Sequence, residues 1–594
     1  MRSQQDFPRV PRRAPQSRRR LWIVLGVVIA VVVLASLHTL ATLYTDYLWF
    51  GSVHLSEVWD RLLEVKLGLL VGFAAVFFVM LWVSLAFVDR LAPSELSLGP
   101  EDELVRRYQQ VVAPRALLVR TIVSLVIALI AGSSVVGQWQ HWLMFRDGVP
   151  FAQTDPQFHK NVAFFVFTMP FLSFVIGWAF VSLVVITILT VIAHYLNGGI
   201  RVQNGTPRVA PQVKAHLSVL LALIALVKAG GYFLQRYSLD FSTQGYVQGA
   251  GYTDVHARLP ALTLLVWISL AAAVILLVNI RRKGWALPVL AVGLWAFVAL
   301  VIGTIYPALV QSLKVNPAQD ALEQPYIARN IAATRYAIGI DHVQTKPFAA
   351  TSTLTPAAVT SDASTLNDVR LWDPELTGQS FEKLQSIRSY YNFDTLAVDR
   401  YTVNGKLTPV VVGVRQLNSN DLPAQGWVNS HLQYTHGYGM VVALSNQATP
   451  SGNPVFGVSD VPPVSKSGLP RITQPSVYYG VNNPGYVIAN TRQGEIDYQL
   501  PNGTNVESHY AGTGGVQLSS FITRAAFAMR FGDINILISD LLTPQSRIMF
   551  VRDIQARVMK AAPFLSLGSN PYPILANGQI LWVQNAYTTS SHYP

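Results

Sequence analysis

The sequence predicts a membrane α-helical bundle of seven transmembrane helices, followed by a mixed α/β extracytoplasmic domain. Three observations lead to this fold class. Hydrophobic residues make up 51% of the chain and charged residues only 13%, a composition typical of proteins that cross a bilayer several times. Apolar runs long enough to span recur up to Ser312, and none follows Lys314. Basic residues are concentrated in alternate loops between these runs.

The membrane half begins with a basic arm, residues 1–20, that is rich in arginine and proline and is expected to be disordered. An apolar run over residues 21–43 follows, and its length favours an uncleaved anchor. Six further runs complete the predicted bundle, at residues 67–88, 117–137, 171–193, 217–234, 261–280 and 285–312. Because Pro170 follows the apolar residues 162–169, we expect those residues to form a separate interfacial helix.

Loop charges predict the orientation. The arm and the loops after the second, fourth and sixth spans carry eighteen basic residues, whereas the alternate loops carry six. The positive-inside rule then places the N-terminus in the cytoplasm and the region after the last span outside the plasma membrane. We therefore expect a cytoplasmic arm (1–20), a transmembrane domain (21–313) and an extracytoplasmic α+β domain (314–594). Aromatic residues at outer span ends, Trp49 among them, are typical of an interfacial belt.

The outer region alternates strand-like and helix-like patterns. Strands are predicted at residues 399–403, 409–415, 440–444, 486–489, 496–500, 534–539 and 579–583, and helices at 322–338, 381–391, 516–531 and 547–565. The dipeptides Asn404-Gly405 and Asn577-Gly578 predict hairpin turns. The chain has no cysteine, which excludes disulfides and thiolate metal sites. Its net charge of +12 reflects topology and not nucleic-acid binding, since the outer region is nearly neutral.

Long stretches of the sequence resemble the bacterial uncharacterised protein family 0182. These are TDPQFHKNVAFFVFTMPF (154–171), RNIAATRYAIGID (329–341), IRSYYNFDTLAVDRY (387–401), WVNSHLQYTHGYG (427–439), GTGGVQLSSFITRAAFA (512–528), SRIMFVRDIQARVMKAAPFL (546–565) and GQILWVQNAYTTSSHYP (578–594). The resemblance implies a multi-pass membrane protein of unknown function with a large extracytoplasmic region. It supplies no activity, cofactor or catalytic residue. Members usually continue past the YTTSSHYP stretch, so a C-terminally truncated outer domain is expected.

Three residues are candidates for function. His431 and His436 are five residues apart, which puts them on neither one helical face nor one strand face, and no acidic residue lies between them. Two structural histidines in a glycine-rich and aromatic loop are the favoured interpretation over a catalytic or metal-binding pair. Lys228 is the basic residue well inside a predicted span, where a charge is costly and often functional. Snorkelling towards the outer surface is the alternative for Lys228.

The sequence favours a non-catalytic cell-envelope protein that presents its outer domain to a protein, lipid or wall partner. A transporter or lipid-handling subunit that uses the bundle around Lys228 is one alternative. An extracytoplasmic hydrolase centred on His431 and His436 is another. No cofactor and no nucleic-acid partner are predicted, and the lipid bilayer is the one partner that the sequence implies directly. The oligomeric state is left open.

Overall fold

The computed structural model describes residues 18–91, 105, 108, 113–203, 206–245, 248–348, 350, 352–466 and 468–594. Most of the predicted basic arm therefore lies outside the described residues, as does most of the loop between the second and third predicted spans. The chain divides into two compact units. The first combines Met1–Asp60 with Ala350–Thr589, and the second combines Arg61–Ala349 with Ser590–Pro594.

Long helices dominate the N-terminal half. They are α1 (Arg18–Ser52), α2 (Ser56–Arg90), α3 (Ala116–Asp147), α4 (Phe164–Leu196), α5 (Pro211–Gln235), α6 (Asp254–Arg282) and α7 (Ala286–Ala337). Within the described residues, the six helices α2 to α7 are long and apolar enough to cross a bilayer. They contain the second to seventh predicted spans. Helix α1 contains the first predicted span, but many of its side chains lie outside the described residues, and the count of seven is not confirmed.

Four prolines in these helices are accommodated by π turns. The turns Phe164–Thr168, Asp254–Arg258, Val301–Ile305 and Gln311–Val315 each end two residues before a proline. In the first, the N–H of Met169 donates to the carbonyl of Phe164, five residues back. This wider turn relieves the clash that the ring of Pro170 would make one α-turn earlier. The predicted break at Pro170 is therefore wrong, because the π turn lets α4 continue through it.

The second unit is held by close helix packing. Gly132 of α3 faces α2, where an added Cβ would lie 2.6 Å from the Leu70 carbonyl oxygen and 2.7 Å from the Cβ of Ala74. Small residues allow such approaches between membrane helices. The short hairpin of β1 (Ile200–Gln203) and β2 (Thr206–Val209) connects α4 to α5.

The first unit contains the strands of the C-terminal half. They are β3 (Tyr391–Asn392), β4 (Leu396–Val403), β5 (Lys406–Val414), β6 (Gln416–Leu417), β7 (Gly437–Tyr438), β8 (Met440–Ala448), β9 (Pro454–Ser459), β10 (Val464–Ser465), β11 (Ser476–Val477), β12 (Val487–Ala489), β13 (Glu495–Gln499), β14 (Asn505–Ser508), β15 (Val516–Gln517), β16 (Arg547–Met549), β17 (Ser566–Leu567), β18 (Tyr572–Ala576), β19 (Gln579–Val583) and β20 (Ala586–Tyr587). The largest described sheet is antiparallel, in the order β10-β9-β8-β5-β4. Its strand β5 is buried on both faces, with Val410 and Val412 in one cluster and Val411 in another.

Short helices complete this unit. They are α8 (Pro356–Ser361), α9 (Ala363–Asp368), α10 (Pro374–Gln385), α11 (Phe521–Phe531), α12 (Asn535–Ile538) and α13 (Ile554–Ala561). Two helices begin later than predicted because side chains cap them. Ser520 accepts from the N–H of Thr523 at the start of α11, and Asp553 accepts from that of Ala556 at the start of α13. The strand predicted over residues 534–539 is wrong, because α12 forms there.

The end of α1 belongs to the core of the first unit. Trp49 and Phe50 are buried in the same cluster as Phe527 and Ile548 of the C-terminal half. Trp49 is only 2% exposed, so its ring packs inside the protein and does not lie in the predicted interfacial belt. The sequence could not distinguish these positions, because an aromatic residue near a span end suits either environment.

Candidate functional site

Of the two candidate histidines, one lies inside a π turn and the other lies after it. His431 is inside the π turn Asn429–Gln433, and His436 immediately precedes β7. A Cβ at Gly437 would overlap the carbonyl oxygen of Arg415, so glycine permits a close approach of the two backbones here. This approach carries His436 into the interior, where it is 1% exposed.

His436 has hydrogen-bond partners at both ring nitrogens. Its Nδ1 lies 2.8 Å from the hydroxyl oxygen of Thr435, and its Nε2 lies 3.1 Å from Oδ1 of Asp497. The Thr435 hydroxyl donates its own proton to Oε2 of Glu495 at 2.7 Å, so this oxygen acts as an acceptor towards Nδ1. Both ring nitrogens therefore have an oxygen partner within the protein.

The two carboxylates come from β13. Its pairing with β14 is interrupted at Asp497, and such a bulge re-aims a side chain. Both carboxylates reach His436, since an oxygen of Glu495 also lies 3.8 Å from Nδ1. The fully buried Glu495 accepts further hydrogen bonds from the Tyr478 hydroxyl at 2.8 Å and from two backbone N–H groups. Its negative charge is thus fully solvated by protein donors.

The environment shifts the pKa values of two members of this network. Burial would raise the pKa of Asp497, but hydrogen bonds from His436 and Ser508 outweigh burial and hold that pKa below its ordinary value. The Ser508 hydroxyl donates to Asp497 at 2.6 Å. Burial, together with the nearby charge of Glu495, raises the pKa of Tyr478 well above its ordinary value. The Tyr478 hydroxyl therefore remains a hydrogen-bond donor at neutral pH.

A buried arginine supports the network from the backbone side. The guanidinium of Arg552 donates to the carbonyl oxygens of Tyr478 at 2.9 Å and Thr435 at 2.8 Å. Burial lowers its pKa to about 10, so Arg552 remains a cation at neutral pH. These bonds join the segment before β7 to the segment after β11 and fix the positions of both hydroxyl groups.

A cleft of about 630 Å³ opens beside this network, and Tyr478 and Ser508 belong to both. Aromatic rings and polar side chains share its lining, including Gln474, Tyr479, His509, Tyr510, Gln579 and Trp582. The indole N–H of Trp582 donates to the carbonyl of Tyr479 at 3.0 Å, which fixes the orientation of the ring. Ligand sites commonly combine such rigid aromatic surfaces with a few placed polar groups.

His431 has a different set of partners. Its Nδ1 donates to the carbonyl oxygen of Tyr486 at 2.7 Å, and its ring stacks on the Tyr486 ring with centroids 4.2 Å apart and planes 8° apart. The Tyr486 hydroxyl donates in turn to Asp533 at 2.6 Å and accepts from Trp427 at 3.0 Å. Burial lowers the pKa of His431. These contacts pack His431 against Tyr486 inside the first unit.

Lys228 lines a groove of about 380 Å³ between α4 and α5. Its ammonium nitrogen lies 4.5 Å from the ring centroid of Phe180 and 5.7 Å from that of Tyr232. Such positions over aromatic faces favour a cation. Gly177 and Gly231 also line the groove, one from each helix. The side chain thus has partners within the bundle, which the sequence alone does not predict.

Most residues of the site are not predicted from the sequence, among them Thr435, Glu495, Ser508 and Trp582. The i, i+2 spacing of Glu495 and Asp497, at the start of the strand predicted over residues 496–500, is a usable signal, since such residues on a strand commonly share a face. The side-chain contacts of that strand with Thr435 and His436, before β7, leave no local trace in the sequence. Among the described residues, no group of three or more His, Cys, Asp or Glu side chains is arranged to hold a metal ion.

Comparison with known proteins gives relatives over nearly the whole chain. A UPF0182 protein of Frankia casuarinae is 42% identical over 582 residues, covering 96% of this chain and 56% of the relative. A UPF0182 protein of Streptomyces coelicolor is 38% identical over 596 residues, covering 99% of this chain and 59% of the relative. A UPF0182 protein of Pelotomaculum thermopropionicum is 37% identical over 575 residues, covering 93% of this chain and 62% of the relative. The chain thus spans a little over half the length of these relatives.

No solved structure matches the chain. The profile of the Uncharacterised protein family (UPF0182) matches residues 22–594, which confirms the resemblance drawn from the sequence motifs. On this coverage, and on the identities of its relatives, the chain belongs to the uncharacterised protein family UPF0182.

Proposed function

We propose that the protein is a multi-pass plasma-membrane protein that presents a non-catalytic, ligand-binding domain outside the cell. In this proposal the N-terminus is cytoplasmic and residues 314–594 are extracytoplasmic. The six apolar helices and the charge asymmetry of the loops support the membrane part. The ligand belongs to the cell envelope, and the cleft beside the His436 network binds it.

The position of the end of α1 supports the proposed orientation. Trp49 and Phe50 share a core with Phe527 and Ile548, so the end of α1 and the C-terminal half lie on the same side of any membrane that α1 crosses. The residues before α1 then lie on the opposite side. The positive-inside rule assigns that side to the cytoplasm, independently of these contacts.

The aromatic lining of the cleft is the observation that carries the proposal. Tyr479, Tyr510 and Trp582 lie together with hydroxyl and amide side chains. Sugar rings present apolar C–H faces and polar rims, and this combination of aromatic and polar groups suits both. We therefore propose a wall glycan as the ligand. Binding is favoured over hydrolysis because His436 is buried and its nitrogens already have partners.

Replacing Trp582 by alanine tests the binding site. We expect Trp582→Ala to weaken binding of soluble wall-glycan fragments to the purified full chain at least about tenfold, because aromatic anchors of binding sites often contribute about 2 kcal/mol or more. Isothermal titration calorimetry measures this. Trp372→Ala is the matched control, since Trp372 is also half-buried and donates to a backbone carbonyl, at 2.7 Å, outside the cleft. Equal affinities of the two variants would rule out the cleft as the site.

A lipid-handling role for the bundle is the second candidate function. The groove between α4 and α5 supports this role, because its lining combines apolar side chains with the ammonium group of Lys228. An anionic lipid has matching parts, with acyl chains for the apolar wall and a phosphate for the ammonium group. Intramembrane cations are costly unless they serve such a partner.

Lipid retention tests this second candidate. Lys228→Leu is expected to lose anionic lipid during purification of the full chain in mild detergent, while Lys228→Arg keeps it. Mass spectrometry of the bound lipids gives the comparison. Lys66→Leu is the matched control, since Lys66 is also half-buried and lies 5.7 Å from an aromatic ring centroid, that of Trp139. Unchanged lipid in Lys228→Leu would refute the role.

A further inference from the structure

Helix α11 lies alongside the outer part of α1. The Nδ1 of His38 donates to the carbonyl oxygen of Met529 at 3.2 Å. The guanidinium of Arg530 donates to the hydroxyl of Thr45 at 2.7 Å and to Asp46 at 2.6 Å. His38 falls within the first predicted span, residues 21–43. If α1 crosses the bilayer there, the last turn of α11 lies at the depth of the outer end of that span.

Large apolar side chains are exposed on α11, on α12 and on Ile534 in the loop between them. Phe521 is 72% exposed, Ile522 is 69% exposed and Ile538 is 63% exposed. Met529 and Ile534 are exposed as well. Exposed apolar residues scattered singly are ordinary, but five within one short segment form a patch that marks an interaction surface.

The charged side chains of the same segment bind protein groups. Arg524 donates to two backbone carbonyl oxygens, at 2.9 and 2.8 Å. Arg530 pairs with Asp46, and Asp533 accepts from the Tyr486 hydroxyl at 2.6 Å. The apolar side chains of the segment are thus exposed, whereas its charged side chains bind groups of the first unit. This is the reverse of the pattern of a helix that faces water.

We propose that this apolar face lies in the outer interfacial region of the lipid bilayer beside α1. We call it the interfacial face, and it consists of Phe521, Ile522, Met529, Ile534 and Ile538. Lipid is the favoured occupant because Leu37 and Leu40 of α1 are exposed apolar residues on either side of His38, and His38 bonds to the backbone of Met529. Interfacial helices bury such a face roughly 5–10 Å into the headgroup and acyl boundary. The inference rests on the proposed membrane placement of α1.

Quenching by labelled lipids tests the inference in the full chain. The sequence contains no cysteine, so a single one can carry an environment-sensitive fluorophore. We choose Ile522→Cys and Ile538→Cys on the interfacial face, and Leu40→Cys on α1 as the membrane reference. Leu376→Cys is the matched control, since Leu376 is 78% exposed elsewhere in the same unit. The labelled proteins are reconstituted in phosphatidylcholine–phosphatidylglycerol vesicles containing lipid with a nitroxide near the headgroup.

The expected result is a blue-shifted emission at the two interfacial positions and quenching at least half as strong as at Leu40, with neither at Leu376. Quenching at Leu40 alone would overturn the inference and leave the span of α1 intact. Blue-shifted but unquenched labels at Ile522 and Ile538 would overturn it in favour of a protein occupant. Absence of quenching at every position would refute the membrane placement of α1 and the interfacial face with it.

Discussion

Asp46 is the residue through which α1 is most strongly joined to the C-terminal half. Its carboxylate accepts from Arg530 at 2.6 Å and from Lys560 at 2.7 Å, and its side chain is 17% exposed. One anion therefore pairs with two cations, from α11 and α13. Charges withdrawn from water in this way depend on their partner, so removing the anion leaves two cations poorly solvated.

We expect Asp46→Asn to destabilise the first unit by about 2–3 kcal/mol, towards the lower end of losses at buried ion pairs because the site is partly exposed. Denaturant unfolding of the detergent-solubilised chain, followed by tryptophan fluorescence, measures the change. Asp147→Asn serves as the control, because Asp147 pairs with Arg61 and Arg146 in an exposed position. Such surface pairs add little stability. A similar shift in both variants would contradict the assigned role of Asp46.

His431 leads to a prediction about pH. Burial lowers its pKa in the folded state, so below the ordinary value of 6.5 the unfolded chain binds a proton that the folded chain resists. The stability contributed by neutral His431 is therefore present above pH 6.5 and is lost as pH falls towards 5. His431→Phe can keep the stacking on Tyr486 but has no group to protonate.

The stability difference between the wild type and His431→Phe should therefore shrink between pH 7 and pH 5. Denaturant unfolding at several pH values gives this difference. His509→Phe is the control, since it removes an exposed imidazole from the same unit and is expected to follow the wild-type curve. A difference independent of pH would show that His431 does not resist protonation in the folded state.

At the scale of elements, two Asn-Gly turns offer a matched comparison. Asn404 and Gly405 connect β4 to β5 with φ values of 51° and 79°, and Asn577 and Gly578 connect β18 to β19 with 51° and 76°. An added Cβ at Gly405 would meet nothing within 4 Å, whereas at Gly578 it would lie 2.5 Å from the Thr473 hydroxyl oxygen. The two turns share their backbone strain and differ in their surroundings.

Gly405→Ala is expected to destabilise the first unit by about 1 kcal/mol, which is the cost of a left-handed conformation for a residue with a Cβ. Gly578→Ala should cost more, because the methyl group also displaces Thr473. Unfolding midpoints of the two variants provide the comparison. The reverse order of stability would mean that the neighbours of Gly578 move aside freely.

The sequence predicts elements well where one local signal decides them. Both Asn-Gly hairpins and the strands β4, β5 and β8 form where alternation and turn residues indicate. Prediction fails where the deciding contact is not visible in a simple pattern. Ile534 and Ile538 read as strand, yet they lie in and beside α12, which follows the left-handed end of α11 at Gly532.

The candidate site is predictable to the same extent: single residues can be recognised, but their contacts cannot. Of this network, His436 is singled out from the sequence. Its pairing with Asp497, and the cleft beside them, depend on strands that meet only in the folded unit. The i, i+2 acidic pair of β13 is a local pattern, but tertiary structure determines that Glu495 accepts from Thr435 and Asp497 from His436, about sixty residues earlier.

At the scale of the whole molecule, the first compact unit joins the two ends of the chain. Its core contains Trp49 and Phe50 of α1 together with Phe527 and Ile548. The end of α1 is synthesised first but completes its packing only when the C-terminal half is made. Contacts between residues so far apart in the sequence form slowly, because a long loop must close. If α1 crosses a bilayer, these contacts require the C-terminal half to lie on the side at which α1 ends.

Cysteine labelling tests that requirement directly, because the native chain has no cysteine. A cysteine at Asn502, which is exposed in the turn between β13 and β14, should react with a membrane-impermeant maleimide in intact cells. One at Ser17, before α1, should react only after permeabilisation, because the basic arm favours the cytoplasmic side. Each of the two cysteines is the control for access of the probe to the other, since the two positions are expected on opposite sides of the membrane. Reversed labelling would refute the orientation, and labelling of both sites in intact cells would mean that α1 does not cross the bilayer.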